Sequence, residues 1–506
     1  MERETKTVVL TPDEALEWER WIRVRLGLSD EQGVEIVRRT LDARHTPRIE
    51  YRVMVGEGIL PEDPSLALPE RLSGPPVIVV GAGPAGLFAA LGLAERGIAS
   101  IVVDRGADFP RRHVLVRAGR LWGRDEGVGA LLWGLGGAGA YSDGKLHTRK
   151  RGAHVSRVLR WLSHFDAGRD WILDAHPHVG SNRLPGVVGR MRTALQASGV
   201  QFLFDTTVSG LRTRDGHVTG VETSAGSLDG QAVILAVGNN ARPLFSSLRA
   251  EGVALVSKPL AVGVRVEHPR PFIDGIQFGR FAGHPALGAA RYSFAFQTSS
   301  GRGVYSFCMC PGGYVLSTPP EAGHLAVNGM SFSTRSSPWS NCALVVTVGP
   351  QDWTDPGDSL GAMEYQRDLE VRSFEAGGGG YAAPAQRVTD FLSGCGSGDL
   401  PVGSYTPRMV PADLCGVLPS SVIDSLKEGL LLADRSMPGY ISRDAVLVGS
   451  ETLTSSPVQF PRDGLTLQSV SHPGLYPCGE GSGWAGGITS SAADGLRVAE
   501  CVAEAG

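Results

Sequence analysis

Cysteine is scarce: seven in 506 residues, an odd number with no framework. That excludes a disulfide-stapled secreted fold and points to a reducing compartment. Cys308 and Cys310 form C-x-C, not the C-x-x-C of a redox-active disulfide, and no cysteines and histidines show zinc spacing, so no metal is expected. Neither sign of charge dominates, with a net charge of −4, so no nucleic-acid partner is expected. Met1-Glu-Arg-Glu-Thr-Lys6 is charged and leads into no apolar run, so no secretory leader is expected and the chain reads as cytoplasmic. Leu72 to Ala94 carries no charge, but Gly81, Gly83, Gly86 and Pro84 lie in its middle. It reads as a buried strand and a buried helix, not a membrane span. No internal repeat is visible.

What is present is a large, ordinary globular composition, with 42% hydrophobic and 20% charged residues, long enough for more than one domain. Glycine is abundant at 68, much of it clustered in loops suited to close backbone approach to a ligand. The most informative stretch runs from Val77 to Asp104. An apolar strand enters G-x-G-x-x-G (Gly81, Gly83, Gly86), a helix follows to Gly97, a second strand comes next, and Asp104 stands at its end, 23 residues after Gly81. That is a dinucleotide fingerprint in its expected context. Gly81 permits the tight turn, Gly83 leaves room for a pyrophosphate, and Gly86 lets helix and strand pack closely. The helix N–H groups face the phosphates.

Residues 1–70 read as a separate β-α-β-β unit. Thr7–Leu10 is a short strand, and Thr11-Pro-Asp-Glu14 is a capping box. Ala15, Trp18, Ile22 and Leu26 have helical spacing up to Gly27, and Val34–Leu41 with Arg48–Val55 reads as a hairpin. Pro61, Pro64, Pro69, Pro75 and Pro76 mark a linker. Residues 71–248 and 436–506 read as the two parts of a nucleotide domain. Residues 249–435, with β-like runs at 261–267, 303–309, 324–330 and 343–348, read as an inserted substrate domain. A second G-x-G-x-x-G at Gly134–Gly139 has no proper strand before it and turn residues after it, so it reads as a loop pressed against a flat ligand. Near the C-terminus, Leu475–Cys478 leads into the loop Gly479–Gly487, and Thr489–Ala505 is an amphipathic helix whose positive end can face an anionic ring.

The first fingerprint, the strand closing in Ala236-Val-Gly238 and the Gly479-Glu480 loop together resemble FAD-dependent oxidoreductases of the glutathione-reductase type. More narrowly the chain is similar to bacterial FAD-dependent dehydrogenases that carry a small N-terminal α/β domain. The matching segments include Gly136–Leu146, His176–Gly180, Lys258–His268, Gly303–Gly313, Pro384–Arg387 and Ser455–Pro457. The resemblance implies an α/β protein with a Rossmann-like FAD-binding domain, an inserted α+β substrate domain and FAD as cofactor. It implies that Gly81, Gly83, Pro84, Ala85 and Gly86 hold the pyrophosphate. Asp104 would bind the adenosine ribose with Arg105 beside it, and the Val208 backbone the adenine. Gly136, Gly137, Ser142 and Lys145 would lie along the isoalloxazine. Gly238, Gly479 and Glu480 would serve the rest of the cofactor, with Gly486, Gly487 and Ile488 near the pyrimidine edge. Trp133-Gly-Leu135 and Trp484 depart from the commoner Phe-Gly-Glu and Tyr.

The implied chemistry is hydride or electron transfer at flavin N5 with a small organic molecule, dehydrogenated or reduced, in the manner of a biosynthetic tailoring enzyme. A flavin monooxygenase and a flavin-bearing electron-transfer or docking protein are the alternatives. The electron partner is NAD(P)H, O₂ or a redox protein; no second nucleotide domain and no Cys-x-x-x-x-Cys disulfide is present. The candidate catalytic residues are Ser142, Lys145 and Tyr305. Lys145 stabilises the reduced ring or forms a salt bridge, Ser142 meets the ring or caps a turn, and Tyr305 donates a proton or packs. Among the remaining polar candidates, His176 and His178 lack a partner named by spacing. Arg265, Arg302 and Arg387 either clamp a carboxylate or form structural ion pairs.

Overall fold

The computed structural model describes residues 4–29, 32–56, 66–148, 150–166 and 170–505. The N-terminal unit comprises β1 (Glu4–Leu10), α1 (Pro12–Ala15), α2 (Trp18–Leu26), β2 (Gly33–Asp42) and β3 (Arg48–Gly56), with its strands in the antiparallel order β1-β3-β2. The capping box forms: Glu14 N–H donates to Thr11 Oγ1, and Thr11 N–H to Glu14. The single helix expected after it divides in two. Leu16 and Glu17 make short i−3 bonds to Asp13 and Glu14, and Glu17 leaves helical dihedrals at φ −116°, ψ 45°. Pro61 and Pro64 of the expected linker lie outside the described residues, while Pro75 and Pro76 open the next strand.

That strand, β4 (Ser73–Val80), is followed by α3 (Pro84–Ala94), β5 (Ile98–Val103), α4 (Arg111–Trp122), α5 (Ala153–Asp166), α6 (Leu184–Ser198) and β6 (Gln201–Leu203). A small antiparallel sheet, β7 (Val208–Arg214), β8 (His217–Thr223) and β9 (Gly226–Asp229), precedes β10 (Ala232–Leu235) and α7 (Arg242–Ala250). Every α3 residue from Ala85 to Ala94 is buried. Its all-round apolarity therefore belongs to a helix covered on every side, and no helix among the described residues is long and apolar enough to cross a membrane.

The chain then builds β11 (Val256–Ser257), β12 (Leu260–Pro269), α8 (Arg270–Phe278), β13 (Ala295–Gln297), β14 (Gly303–Cys310), β15 (Tyr314–Ser317), β16 (Val327–Met330) and β17 (Trp339–Val348). After these come α9 (Gly361–Ala376), β18 (Ala383–Arg387), α10 (Val388–Ser393), β19 (Met409–Pro411), α11 (Ser420–Ser436) and β20 (Val446–Glu451). The last elements are β21 (Val458–Gln459), β22 (Leu475–Pro477) and α12 (Ile488–Ala505).

Two sheets organise the protein. The parallel sheet has the order β22-β10-β4-β5-β6, and the seven-stranded, mostly antiparallel sheet the order β13-β14-β17-β12-β20-β18-β19. β20 lies between β12 and β18, so this sheet continues past residue 435 to Glu451. All six β20 residues are buried, and a strand covered on both faces shows no alternation to say which sheet it joins.

The seven-stranded sheet has two unlike faces. One carries Leu260, Val262, Val264, Val266, Leu344 and Val346, packed with α11 and with Leu10, Ile22 and Val53 of the N-terminal unit. The other carries Ala261, Ala343 and Val345 with half-buried Tyr305 and Phe307. The N-terminal unit also docks through Arg39, whose N–H donates to Leu173 O at 2.6 Å and whose guanidinium pairs with Asp174 at 2.7 Å.

Candidate functional site

Three glycine-rich loops converge where α3 and α12 begin. In the first, Gly81 has φ +107°, and a Cβ there would lie 2.3 Å from Ala236 O; a Cβ on Gly86 would lie 1.8 Å from Gly81 O. At Gly83 the nearest atom to such a Cβ is Gly137 Cα, at 3.8 Å, so the space beside it is open. Asp104 binds the loops themselves: Oδ2 accepts from Ala82 N–H at 2.7 Å, and Oδ1 from Gly106 and Gly134 N–H at 2.8 Å. Oδ2 keeps a lone pair for a further donor. Arg105 stacks on Trp133 at 3.6 Å. Val208 opens β7 just beyond Thr206, whose N–H donates to Asp104 O.

The second loop lies directly on the first. Gly136 N–H donates to Ala82 O at 2.8 Å, and a Cβ on Gly137 (φ +55°) would meet Gly83 Cα at 2.9 Å. A Cβ on Gly139 would stand 3.1 Å from Ile488 and 3.2 Å from Pro84, the first residues of α12 and α3. Sequence reasoning missed what holds this loop. Buried Arg112, on α4, donates to Ala130, Leu135 and Gly137 carbonyls at 2.9, 2.5 and 2.8 Å. A lone arginine in a basic helical stretch gives no signal of such a role.

The third loop carries Gly479 (φ +75°), whose N–H donates to Asp494 at 2.8 Å. Asp494 pairs with Arg462, and neither was singled out by the sequence. Glu480 accepts from Asn239 Nδ2 and from Gly487 N–H, both at 3.1 Å; its recessed position raises its pKa, opposed by Gly487 N–H and Lys258. Gly238 lies against Gly481, close enough that a Cβ on Gly481 would meet Gly238 O at 2.1 Å. Gly486 and Gly487 lead into Ile488 and the first turn of α12, whose N–H groups have no partner within the helix itself.

These loops border the half-open face of the seven-stranded sheet. Thr454 Oγ1 donates to Ala261 O and Ser456 Oγ to Gly481 O, tying that face to the third loop. Ser142 caps its own turn: its hydroxyl donates to Gly139 O at 2.9 Å and accepts from Gly144 N–H at 3.3 Å. Lys145 reaches from the second loop to the sheet, 3.2 Å from Asp143 and 3.8 Å from both Cys308 Sγ and Cys310 Sγ. Tyr305 stands on the same sheet face, and burial raises its phenol pKa.

His178 finds partners the spacing did not reveal, Ser331 Oγ at 3.1 Å and Asp143 at 3.5 Å. Burial alone would raise Asp143, but Lys145, His178 and Ser331 together hold its carboxyl well below the usual range. His176 packs edge-on to His147. The three arginines are structural. Arg265 spends five donor contacts on Glu451 (twice), Asn328, Asn341 and Cys308 O, while Arg302 pairs with Asp352 and Arg387 with Asp399. No group of three or more metal-ligating side chains occurs among the described residues.

Two helix starts, an open space beside Gly83 and spare acceptor capacity on Asp104 fit an extended dinucleotide. Residues 75–124 match the family described as FAD binding domain, and 177–332 that described as FAD dependent oxidoreductase. Residues 259–454 match "FAD-dependent protein, C-terminal domain-like". A protein of Clostridium beijerinckii, described only as an uncharacterized protein, is 41% identical over 432 residues, which is 84% of this chain and 80% of that one. The chain belongs to the FAD-dependent oxidoreductases. It is an enzyme of that family with FAD as cofactor, and its fold is that of FAD-binding oxidoreductases built on a parallel sheet. Solved structures similar to this oxidoreductase include glycine oxidase from Bacillus cereus, at 13% identity over 85% of this chain and 95% of that one, with a TM-score of 0.37. L-proline dehydrogenase from P. horikoshii is 12% identical over 87% of this chain and 95% of that one, also with a TM-score of 0.37.

Proposed function

We propose that this oxidoreductase dehydrogenates or reduces a small organic molecule held between the three loops and the Tyr305–Phe307 face of the seven-stranded sheet. The observation that carries the reading is the asymmetry of that sheet. One face is closed by α11 and the N-terminal unit, while the other keeps Tyr305 and Phe307 half-buried over small Ala261 and Ala343. Such a floor of small and aromatic side chains leaves room for a small organic substrate against it.

The cofactor layout we infer is of the glutathione-reductase type. Gly83, Pro84, Ala85 and Gly86 face the pyrophosphate, and Asp104 Oδ2 faces a ribose hydroxyl. Val208 lies toward the adenine, and Gly238, Gly479 and Glu480 border the middle of the cofactor. Gly136, Gly137, Gly486, Gly487 and Ile488 border the ring. When bound, FAD supplies a two-electron acceptor at N5. Lys145 adds a positive charge at the ring side of the substrate face, and Tyr305 offers a phenol for proton transfer. Ser142 shapes the loop through its turn bonds.

The test is reconstitution. Protein freed of cofactor and offered FAD takes on the oxidised flavin spectrum, and a panel of small amines, amino acids and alcohols is screened for anaerobic bleaching. Tyr305→Phe and Lys145→Met slow bleaching while leaving FAD uptake in place. Equal bleaching of wild type and both variants by the same substrate would place the chemistry elsewhere.

A further inference from the structure

Cys308 and Cys310 stand together at an irregular point of the sheet. The β14–β17 register breaks between Phe307 and Cys310, and Cys308 has φ +46°, a left-handed conformation that a non-glycine residue seldom adopts. Cys310 Sγ donates to Cys308 O at 3.2 Å. Arg265, fully buried, donates to that same carbonyl at 2.9 Å. Lys145 Nζ lies 3.8 Å from each sulfur. The groups facing the pair are therefore Lys145 from the second glycine loop with its partner Asp143, Arg265 with its partner Glu451, and the Cys342 thiol of β17. Cys342 donates to the carbonyls of Phe307 and Ala343 instead.

Two cations beside a close thiol pair favour one thiolate. The neighbouring Cys310 side chain lowers the Cys308 pKa most, Lys145 and Arg265 add to that, and burial and the Asp143 carboxylate oppose it. Burial holds Cys310 protonated. Lys145 links the pair to the start of α12. Lys145 precedes Leu146, whose carbonyl accepts from Thr489 Oγ1 at 2.8 Å in the first turn of α12.

We propose that Cys308 and Cys310 are a redox-active dithiol, with Cys308 the thiolate, that exchanges an electron pair with the flavin. The exchange with the flavin rests on the cofactor reading above. In the step, the Cys308 thiolate and the Cys310 thiol form an S–S bond. The two electrons and the one proton released pass to oxidised flavin, which becomes the singly protonated reduced anion, so charge and hydrogen balance. The short C-x-C ring and the strained Cys308 backbone make such a bond easily reduced, which suits a reversible store for the flavin's electron pair.

Two measurements test this. In the cofactor-free protein, iodoacetamide at about pH 6 alkylates Cys308 at least about tenfold faster than Cys342. Diamide then yields a peptide spanning residues 303–313 that is lighter by two hydrogens and resists alkylation. Lys145→Met slows the alkylation, and Cys310→Ser abolishes the link. Ordinary thiol reactivity at Cys308, or no link, overturns the dithiol. In the FAD-loaded protein, anaerobic dithionite titration of the diamide-treated enzyme consumes about four electrons per flavin in wild type and about two in Cys310→Ser. Equal consumption overturns the exchange with the flavin. A protein that links its thiols but takes up no FAD fails the cofactor reading, and with it the exchange, while the dithiol stands.

Discussion

Arg462 and Asp494 meet in a buried bidentate pair at 3.0 and 2.7 Å, and the same Asp494 carboxylate accepts the Gly479 N–H. Arg462 also donates to Pro477 O and stacks on Trp484. The pair therefore sets the third glycine loop from beneath. Asp494→Ala strands a buried guanidinium, at a cost of about 3–5 kcal/mol, and frees the loop. The expected result is a lower urea midpoint together with weaker FAD uptake. Arg462→Met/Asp494→Leu regains stability by replacing charge with packing, yet leaves Gly479 N–H without its acceptor, so FAD uptake stays weak. Recovery of both would mean the pair serves stability alone.

Gly83 and Gly86 separate ligand room from packing. Gly83 has φ −76°, ψ −176°, open to any residue, and a Cβ there finds no atom closer than 3.8 Å. Gly83→Ala therefore leaves the cofactor-free melting temperature nearly unchanged and weakens FAD at least about tenfold, or about 1.4 kcal/mol. At Gly86 the Cβ would lie 1.8 Å from backbone, so Gly86→Ala lowers the cofactor-free stability itself by about 1–3 kcal/mol or more. Thermal melts without FAD and fluorescence titration with it distinguish the two. An unaffected FAD affinity in Gly83→Ala would remove the pyrophosphate from this turn.

Arg112 offers a test of the second loop. Its guanidinium meets three carbonyls from one buried position, and lysine cannot reproduce that planar fork. Arg112→Lys is expected to increase proteolysis between residues 130 and 142 in the cofactor-free protein and to weaken FAD, with far-ultraviolet circular dichroism unchanged. Undiminished protection of that segment would show the loop holds without it.

The parts legible in the sequence were those with local signals. The G-x-G-x-x-G turn, the Thr11–Glu14 box and the strand around Val264 each announce themselves within a few residues. What stayed hidden depends on pairs distant in the chain: Arg112 with Gly137, Arg462 with Asp494, and His178 with Asp143 and Ser331. Arg265 shows the limit clearly. A lone arginine in an apolar strand reads equally as a clamp or a brace, and only its five acceptor atoms decide for the brace. Asp104 is read correctly as the acid ending the second strand. Its three backbone contacts to residues 82, 106 and 134 are set by loops whose approach no spacing reveals.

Neighbouring Glu267 and His268 give stability opposed dependences on pH. Burial pushes the Glu267 carboxyl up to about 7 from 4.5, despite bonds from the Ser404 N–H and hydroxyl. Burial pushes His268 down to about 4 from 6.5, with its imidazole bonded to Tyr440 O. A raised folded pKa means the native state holds the proton more tightly, so the Glu267 contribution is full below 4.5 and is lost as pH rises to about 7. A depressed folded pKa means the unfolded chain takes the proton first, so the His268 contribution is full above 6.5 and is lost as pH falls to about 4. Each spans about 3 kcal/mol at 1.36 kcal/mol per unit, and between 4.5 and 6.5 the two slopes cancel. Glu267→Gln mimics the protonated acid: its amide donates to Ser404 Oγ and its carbonyl accepts the Ser404 N–H. The variant is expected to exceed wild type above about pH 7 by up to about 3 kcal/mol. It loses that margin as the pH falls, with a steep decline below about pH 6.5 that wild type does not show. Urea unfolding across this range reads the effect, and parallel curves for the two proteins would mean that Glu267 stays ionised in the native protein.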